Sequence, residues 1–314
     1  MPASRHLVDP DLSAMLDQWP TVALTHDMLP MMRSADRLPS PPVAPNDVRM
    51  ERRTVPGPAG APALEVQIYT PAGTGPFPCI YHIHGGGYVA GSAAALEFAH
   101  RPLAEQLGCV IVSVDYRLAP ETPHPGPVED CYAGLAWTVA HAATLNVDPS
   151  RLGVMGESAG GGLAAALALL ARDRGEYALA FQCLTYPMID DRTCVAEDHP
   201  VVGEFIWTPH NNRFGWTALL GHAPGADDVS PYAAAARAVD LAGLPPTFIM
   251  TGGLDLFLEE DVDYARRLIR AGVPTELHVY PGGFHAFDIH PTAAVAKAAR
   301  ADRLAWLGRA LAPS

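Results

Sequence analysis

The sequence predicts a doubly wound α/β fold, an open sheet of about eight mostly parallel strands with helices on both faces. Two patterns carry this, strand-like runs recurring along the chain and helical periods between the later runs; the composition, 49% hydrophobic and 18% charged over 314 residues, suits a large packed core. The strand-like runs cover residues 51–55, 64–69, 79–84, 109–115, 151–156, 180–186, 247–251 and 275–280. Val128, Tyr132, Leu135, Ala136 and Val139 mark one helix face. Leu258, Val262, Ala265 and Ile269 mark another, which Gly272 and Pro274 stop. Strands that alternate with helices need crossover connections, so the sheet is mostly parallel and covered twice.

Two stretches stand apart. Residues 1–45 carry Leu12, Met15, Leu16 and Trp19 at helical intervals and end in a proline-rich stretch, Pro39 to Pro45, that no helix crosses. They read as a helical arm on a linker, with 46–314 as the main domain. Residues 187–246 break the alternation and are rich in Trp, Pro, Asn and His. A connection that long is usually functional, and its first part, about 187–224, is expected to join the arm as a cap. No fixed-period repeat is visible.

Charge and cysteines narrow the function. Asp and Glu number 34 against 21 Lys and Arg, a formal charge of −13, which repels phosphate and makes nucleic acid an unsuitable partner. Five cysteines, Cys79, Cys109, Cys131, Cys183 and Cys194, form an odd set without a CxxC pair, most of them in apolar stretches where a thiol packs as a small hydrophobe. The first residues, MPASRHLVDPDLSAML, lack the apolar core of a secretory leader, and the longest apolar run, 159–171, is short and Gly-rich for a membrane span. The expectation is a cytoplasmic protein without membrane attachment.

The chemistry begins at Gly156-Glu157-Ser158-Ala159-Gly160, a G-x-S-x-G pattern with a strand before it and a helix-forming run after it. A sharp strand-to-helix turn forces the serine into strained backbone angles and lifts its hydroxyl above the sheet edge. A serine needs a base, and the base needs a carboxylate to hold its tautomer. Of thirteen histidines, His285 lies in a loop directly after the last strand run, the edge at which Ser158 also falls. Asp255 follows another strand, giving the order Ser, Asp, His. Glu259 is a weaker rival, because it opens a helix whose dipole already explains Glu259, Glu260 and Asp261.

His84-Gly85-Gly86-Gly87 follows the strand run at 79–84. Its bare backbone N–H groups suit an oxyanion better than a phosphate, since no Gly-Lys-Ser/Thr follows. Gly86 and Gly87 are the expected donors, joined by Ala159 at the start of the nucleophile helix.

With these motifs, and Asp115-Tyr-Arg-Leu-Ala-Pro-Glu121 between them, the chain from Glu51 onward resembles the hormone-sensitive-lipase-like esterases of the α/β-hydrolase superfamily, and among them bacterial acetyl esterases of the heroin esterase kind. The resemblance implies Ser158, Asp255 and His285 as triad, Gly86, Gly87 and Ala159 as oxyanion hole, and the arm with 187–224 as cap. It implies a cofactor-independent carboxylesterase acting on small, short- to medium-chain esters. Glu157 departs from the Asp or Thr commonest before the nucleophile. It is expected to bond the backbone of the acid loop or, less favoured, to lie near His285.

Phe205, Trp207, Phe214 and Trp216 either line an acyl or alcohol pocket or fix the cap to the body. His82 and His84 alternate on a strand without needing a metal, and none is expected. Asp115, Arg117, Glu129 and Asp130 read as caps and ion pairs. Two rivals stay open: an amidase or peptidase, since the same triad cleaves amides, and a non-catalytic ligand-binding relative, which would be expected to lack a triad member. A homodimer through the sheet edge or the last helix is compatible with the sequence.

Overall fold

A computed structural model describes residues 3–19, 21–34, 46–197 and 199–313. The proline-rich linker expected at 39–45 lies outside them. Among the described residues the strands are β1 (Arg49–Val55), β2 (Leu64–Thr70), β3 (Phe77–Ile83), β4 (Val110–Asp115), β5 (Val147–Glu157), β6 (Gln182–Thr185), β7 (Thr247–Gly252) and β8 (Thr275–Tyr280). The helices are α1 (Ser13–Gln18), α2 (Leu29–Met32), α3 (Glu97–Leu107), α4 (Gly126–Ala140), α5 (Ala142–Leu145), α6 (Ala159–Arg174), α7 (Pro209–Leu220), α8 (Leu258–Arg270) and α9 (Ala294–Ala310).

The strands form one sheet in the order β1-β2-β4-β3-β5-β6-β7-β8. β2 runs antiparallel to both β1 and β4; every other pairing is parallel. Residue alternation along each strand feeds two cores. In β4, Val110, Val112 and Val114 join one apolar cluster and Ile111 the other; in β7, Ile249 goes one way and Phe248 and Met250 the other. The first cluster takes in α4, α6 and α8, the second α3 and α9. α6 is buried over its first thirteen residues, 159–171, so the apolar run read from sequence is an internal helix. No described helix is long and apolar enough to cross a membrane. The five cysteines are free and buried.

β3 connects onward to β4 on one side, whereas its other neighbour, β5, connects onward to β6 on the opposite side, so the chain leaves this strand pair in opposite directions. A crevice opens at such a switch point, outside the carboxyl ends of the strands.

The arm is less helical than its spacing predicts. α1 and α2 are short and each is entered through a 3-10 turn, because the arm docks piece by piece. Leu12, Met15 and Leu16 are buried, while Trp19 ends α1 and is exposed. Asn211 on α7 holds the arm by its backbone, accepting from Leu24 N–H (2.8 Å) and donating to Val22 C=O (2.9 Å). Glu204 accepts from Ala3 and Ser4 N–H at 2.9 and 2.7 Å. The arm thus packs on the segment that follows β6.

Candidate active site

Four parallel strands deliver the sequence-predicted residues to one edge. β3 runs into Gly85–Gly87, β5 into Ser158, β7 into Asp255 and β8 into the loop carrying His285.

Ser158 has φ 54° and ψ −123°, the strained turn expected of the motif. The close approach that this turn requires is visible at Gly160, where a Cβ would lie 2.1 Å from the Ile83 carbonyl oxygen. With the imidazole proton on Nδ1, His285 donates to Asp255 Oδ2 at 2.9 Å and accepts from Ser158 Oγ at Nε2, also at 2.9 Å. The other Asp255 oxygen accepts from Phe257 N–H at 3.0 Å. Ser158, His285 and Asp255 are 8%, 5% and 0% exposed, so little water competes for these bonds. Glu259 is exposed on α8 and takes no part. Such a relay can carry a hydroxyl proton to the imidazole while the carboxylate steadies the resulting cation.

Gly86 and Gly87 have φ of 126° and 62°, a turn that aims backbone N–H groups without side-chain obstruction. Among the described residues, the N–H groups of Gly86, Gly87 and Ala159 have no internal acceptor. Gly85 packs so near the serine turn that a Cβ there would stand 2.8 Å from Glu157 O and 3.4 Å from Ser158 Cβ.

Glu157 takes neither of its expected places. Its Oε2 accepts from His82 Nε2 at 2.9 Å, and His82 Nδ1 lies 2.8 Å from Ser113 Oγ. Burial would raise the Glu157 carboxyl, but His82 and the Arg303 charge outweigh it and hold it below the usual range. The reason is topological, since β5 beside β3 puts the residue before the nucleophile next to His82. His84 instead stacks on Tyr116 with ring centroids 4.3 Å apart. Asp115 accepts from Ala93 N–H at 2.6 Å, and Arg117 pairs with buried Asp130 at 2.6 Å, the cap and ion-pair roles read from sequence. Glu260 does more than complement a helix dipole, for it accepts from Ile189 and Asp190 N–H at 2.8 and 3.2 Å and anchors the start of the segment after β6.

The four aromatic residues part company. The Trp207 ring lies 6.1 Å from His285 and fills the space a Gly87 side chain would need, 2.3 Å from the Cβ position. Phe205 sits 5.9 Å from Phe284, the neighbour of His285. Trp216 is fully buried against Tyr88, and Phe214 packs on His26 of the arm. Two contacts of the imidazole carried no sequence signal, Tyr186 at 4.7 Å and Phe257 at 5.2 Å. Among the described residues, six other than glycine have positive φ; Asn146 ends a helix, and Tyr88, Ser158, Tyr186, Ile206 and Ala286 are in the site or next to its residues.

Comparison with known proteins shows what the chain is similar to. A family model for the α/β-hydrolase fold matches residues 80–289. The structure of a bacterial heroin esterase superposes with a TM-score of 0.89 at 40% identity, over 99% of this chain and 100% of that one. The carboxylesterase NlhH of Mycobacterium tuberculosis is 36% identical over 288 residues, 89% of this chain and 88% of that protein. An arylesterase of Saccharolobus solfataricus is 32% identical over 71% of this chain and 72% of its own length. The chain belongs to the α/β-hydrolase-fold family, among its hormone-sensitive-lipase-like esterases.

Proposed function

We propose that the protein is a carboxylesterase that hydrolyses small, short- to medium-chain acyl esters through an acyl-enzyme on Ser158. The observation that carries this reading is the Ser158–His285–Asp255 relay, with both bonds at 2.9 Å beneath a nearly closed surface. Ser158 Oγ attacks the ester carbonyl as His285 Nε2 takes its proton. The carbonyl oxygen becomes an oxyanion that Gly86, Gly87 and Ala159 N–H groups receive, and Asp255 stabilises the imidazolium. The tetrahedral intermediate collapses, the alcohol leaves with the proton from His285, and water activated by the same histidine releases the acid.

Trp207 and Phe205 are the two aromatics we assign to the pocket. The arm with the segment after β6 forms the cap, supported by the Asn211 and Glu204 bonds. Reduced, buried thiols support a cytoplasmic setting. For a homodimer, the surface we favour is the open side of β8, where Val262 and Val279 are exposed; size-exclusion chromatography with light scattering tests it.

The test of the main reading is hydrolysis of p-nitrophenyl acetate, butyrate, octanoate and palmitate by wild type and Ser158→Ala, with mass spectrometry after a fluorophosphonate probe. Turnover of the short esters, falling by about 10⁴-fold or more in the variant, is expected with one adduct on Ser158. Absence of both turnover and adduct in folded wild type overturns the reading in favour of a ligand-binding relative. An amide analogue cleaved faster than its ester favours an amidase.

A further inference from the structure

Arg33 ends α2 in the arm, far in sequence from the strand edge, yet its guanidinium reaches the loop that carries the oxyanion glycines. Nε donates to Val89 C=O and one terminal nitrogen to Ala119 C=O, both at 2.8 Å. The two terminal nitrogens also bond the two oxygens of Glu121 at 2.8 Å each. The guanidinium spans four acceptor oxygens of three residues on two loops, which a single ammonium cannot do in the same forked geometry.

The bridged carbonyls flank the turn. Val89 and Ala90 N–H close back on Gly86 C=O at 3.2 and 3.0 Å, and Ala119 N–H bonds Tyr88 C=O at 2.9 Å. Tyr88, between them, has φ 66°, a strained conformation that persists only when its surroundings hold it. On the other side the Tyr88 hydroxyl donates to Met188 C=O at 2.7 Å, and Met188 N–H to Ser158 C=O at 2.9 Å. The loop is therefore gripped twice, once toward the nucleophile turn and once by Arg33. Leu24 and Leu29 of the arm join Tyr88 and Val89 in the same buried apolar cluster, which fixes where α2 ends.

We infer that Arg33 is a positioning residue for the oxyanion hole, holding the Gly86–Ala90 turn so that the loop donors meet the same oxygen as Ala159. The inference rests on the esterase reading above. The asymmetry of the hole makes it necessary. Ala159 is fixed at the start of a buried helix, whereas Gly86 and Gly87 are loop groups whose placement depends on what restrains the loop. Donors aimed at an oxygen lose most of their value when displaced by about 1 Å.

The experiment compares wild type, Arg33→Ala, Arg33→Lys and Glu121→Gln. It measures kcat and KM on p-nitrophenyl butyrate, inhibition by a trifluoromethyl ketone, whose serine adduct carries an oxyanion, and fluorophosphonate labelling of Ser158. Complete loss of one oxyanion donor costs about 10²- to 10³-fold in kcat, so partial misplacement in Arg33→Ala is expected to cost about tenfold or more. KM should change by less than about threefold, and trifluoromethyl ketone affinity should weaken in parallel with kcat. Glu121→Gln, which keeps both carbonyl contacts, should lose less than Arg33→Ala. If Arg33→Ala does not fold, Arg33→Lys decides: a fall in kcat with matching loss of ketone affinity supports the role, and wild-type values for both overturn it. An unchanged kcat with a raised KM, or with lowered stability alone, overturns it in favour of a merely structural latch. Wild type that neither turns over nor labels overturns the esterase reading itself and this inference with it.

Discussion

The carboxyl edge between β3 and β5 and the proposed cap, here the roof, drawn from the described residues of 3–34 and 187–246, are built on different principles. At the edge, backbone meets backbone. Gly160 lies where any Cβ would strike the Ile83 carbonyl, and the Ser158 turn is fixed by sheet register. In the roof, single polar side chains reach across long sequence separations to hold irregular backbone, as Asn211 does for Leu24 and Glu260 for Ile189. The edge should be intolerant of one added carbon and should feel the roof only through side chains, such as Arg33, that bond its loops directly. The roof should lose stability in increments and transmit only part of the loss to chemistry.

The hardest break is Gly160→Ala. Its methyl meets the Ile83 oxygen at 2.1 Å and the His84 oxygen at 2.5 Å, and neither carbonyl is a flexible side-chain end. The helix start must shift, carrying Ser158 and the Ala159 N–H with it. Because a displacement of about 1 Å can cost 10²-fold, kcat/KM on p-nitrophenyl butyrate should fall by about 100-fold or more. Near-wild-type activity in this variant would show that the edge has slack and would erase the contrast.

The roof counterpart is Asn211→Ala. It removes two backbone bonds to the arm and leaves Leu24 N–H and Val22 C=O to find other partners, at a cost of about 2 kcal/mol. In a chain of this size that is a fall in Tm of roughly 4–8 °C. Differential scanning fluorimetry reads it, with kcat expected to stay within about tenfold. A kcat loss matching Gly160→Ala would make the roof part of the chemical machinery.

That difference also explains what the sequence made legible. The eight strands, the Ser158 turn and the glycines that follow β3 are written in contiguous residues, since register and steric exclusion act over a few positions. Asp255 and His285 followed from chain order and strand ends. The arm resisted reading because Leu12, Met15 and Leu16 are buried against distant partners, so an apolar period there marks docking as much as helix. Glu157 and Glu260 were misplaced for the same reason, since the partners His82 and Ile189 are 75 and 71 residues away. Trp216 and Trp207 look alike in sequence and sit nine positions apart, yet one is core and the other faces His285.

Trp207→Ala sharpens the comparison where the two regions touch. The indole lies over Gly87 and within 6.1 Å of His285 by ring centroid, held by a 3.3 Å bond from its Nε1 to Asn212 Oδ1. Shortening it opens space beside the reacting carbonyl, and each methylene accommodated can change kcat/KM by about tenfold or more. The octanoate-to-acetate ratio of kcat/KM should rise by about tenfold. A ratio that does not move would place the acyl chain elsewhere and return Trp207 to the role of fixing the roof.

The smallest effect lies at the joint of the two regions, on α8, where the helix leaves Asp255 at the edge and presents Glu260 to the roof. Asp261 is fully buried between those roles, and neither of its oxygens has a hydrogen-bond partner among the described residues. Burial first, then the neighbouring charges of Glu260 and Asp255, push its carboxyl well above the ordinary range. In the unfolded chain the same group releases its proton near pH 4, about 3.9 for a free aspartate. Because the folded value is the higher one, the favourable contribution is complete below the unfolded value and declines as pH rises toward the folded value. Asparagine keeps the shape and has no proton to lose. The Tm of Asp261→Asn should therefore sit near wild type at pH 4 and exceed it increasingly toward pH 8, by roughly 2–4 °C for each kcal/mol of linkage. A difference independent of pH would mean that Asp261 is ionised inside the fold and stabilised by a partner, in which case the joint is held by polar contacts, as the roof is, instead of by packing, as the edge is.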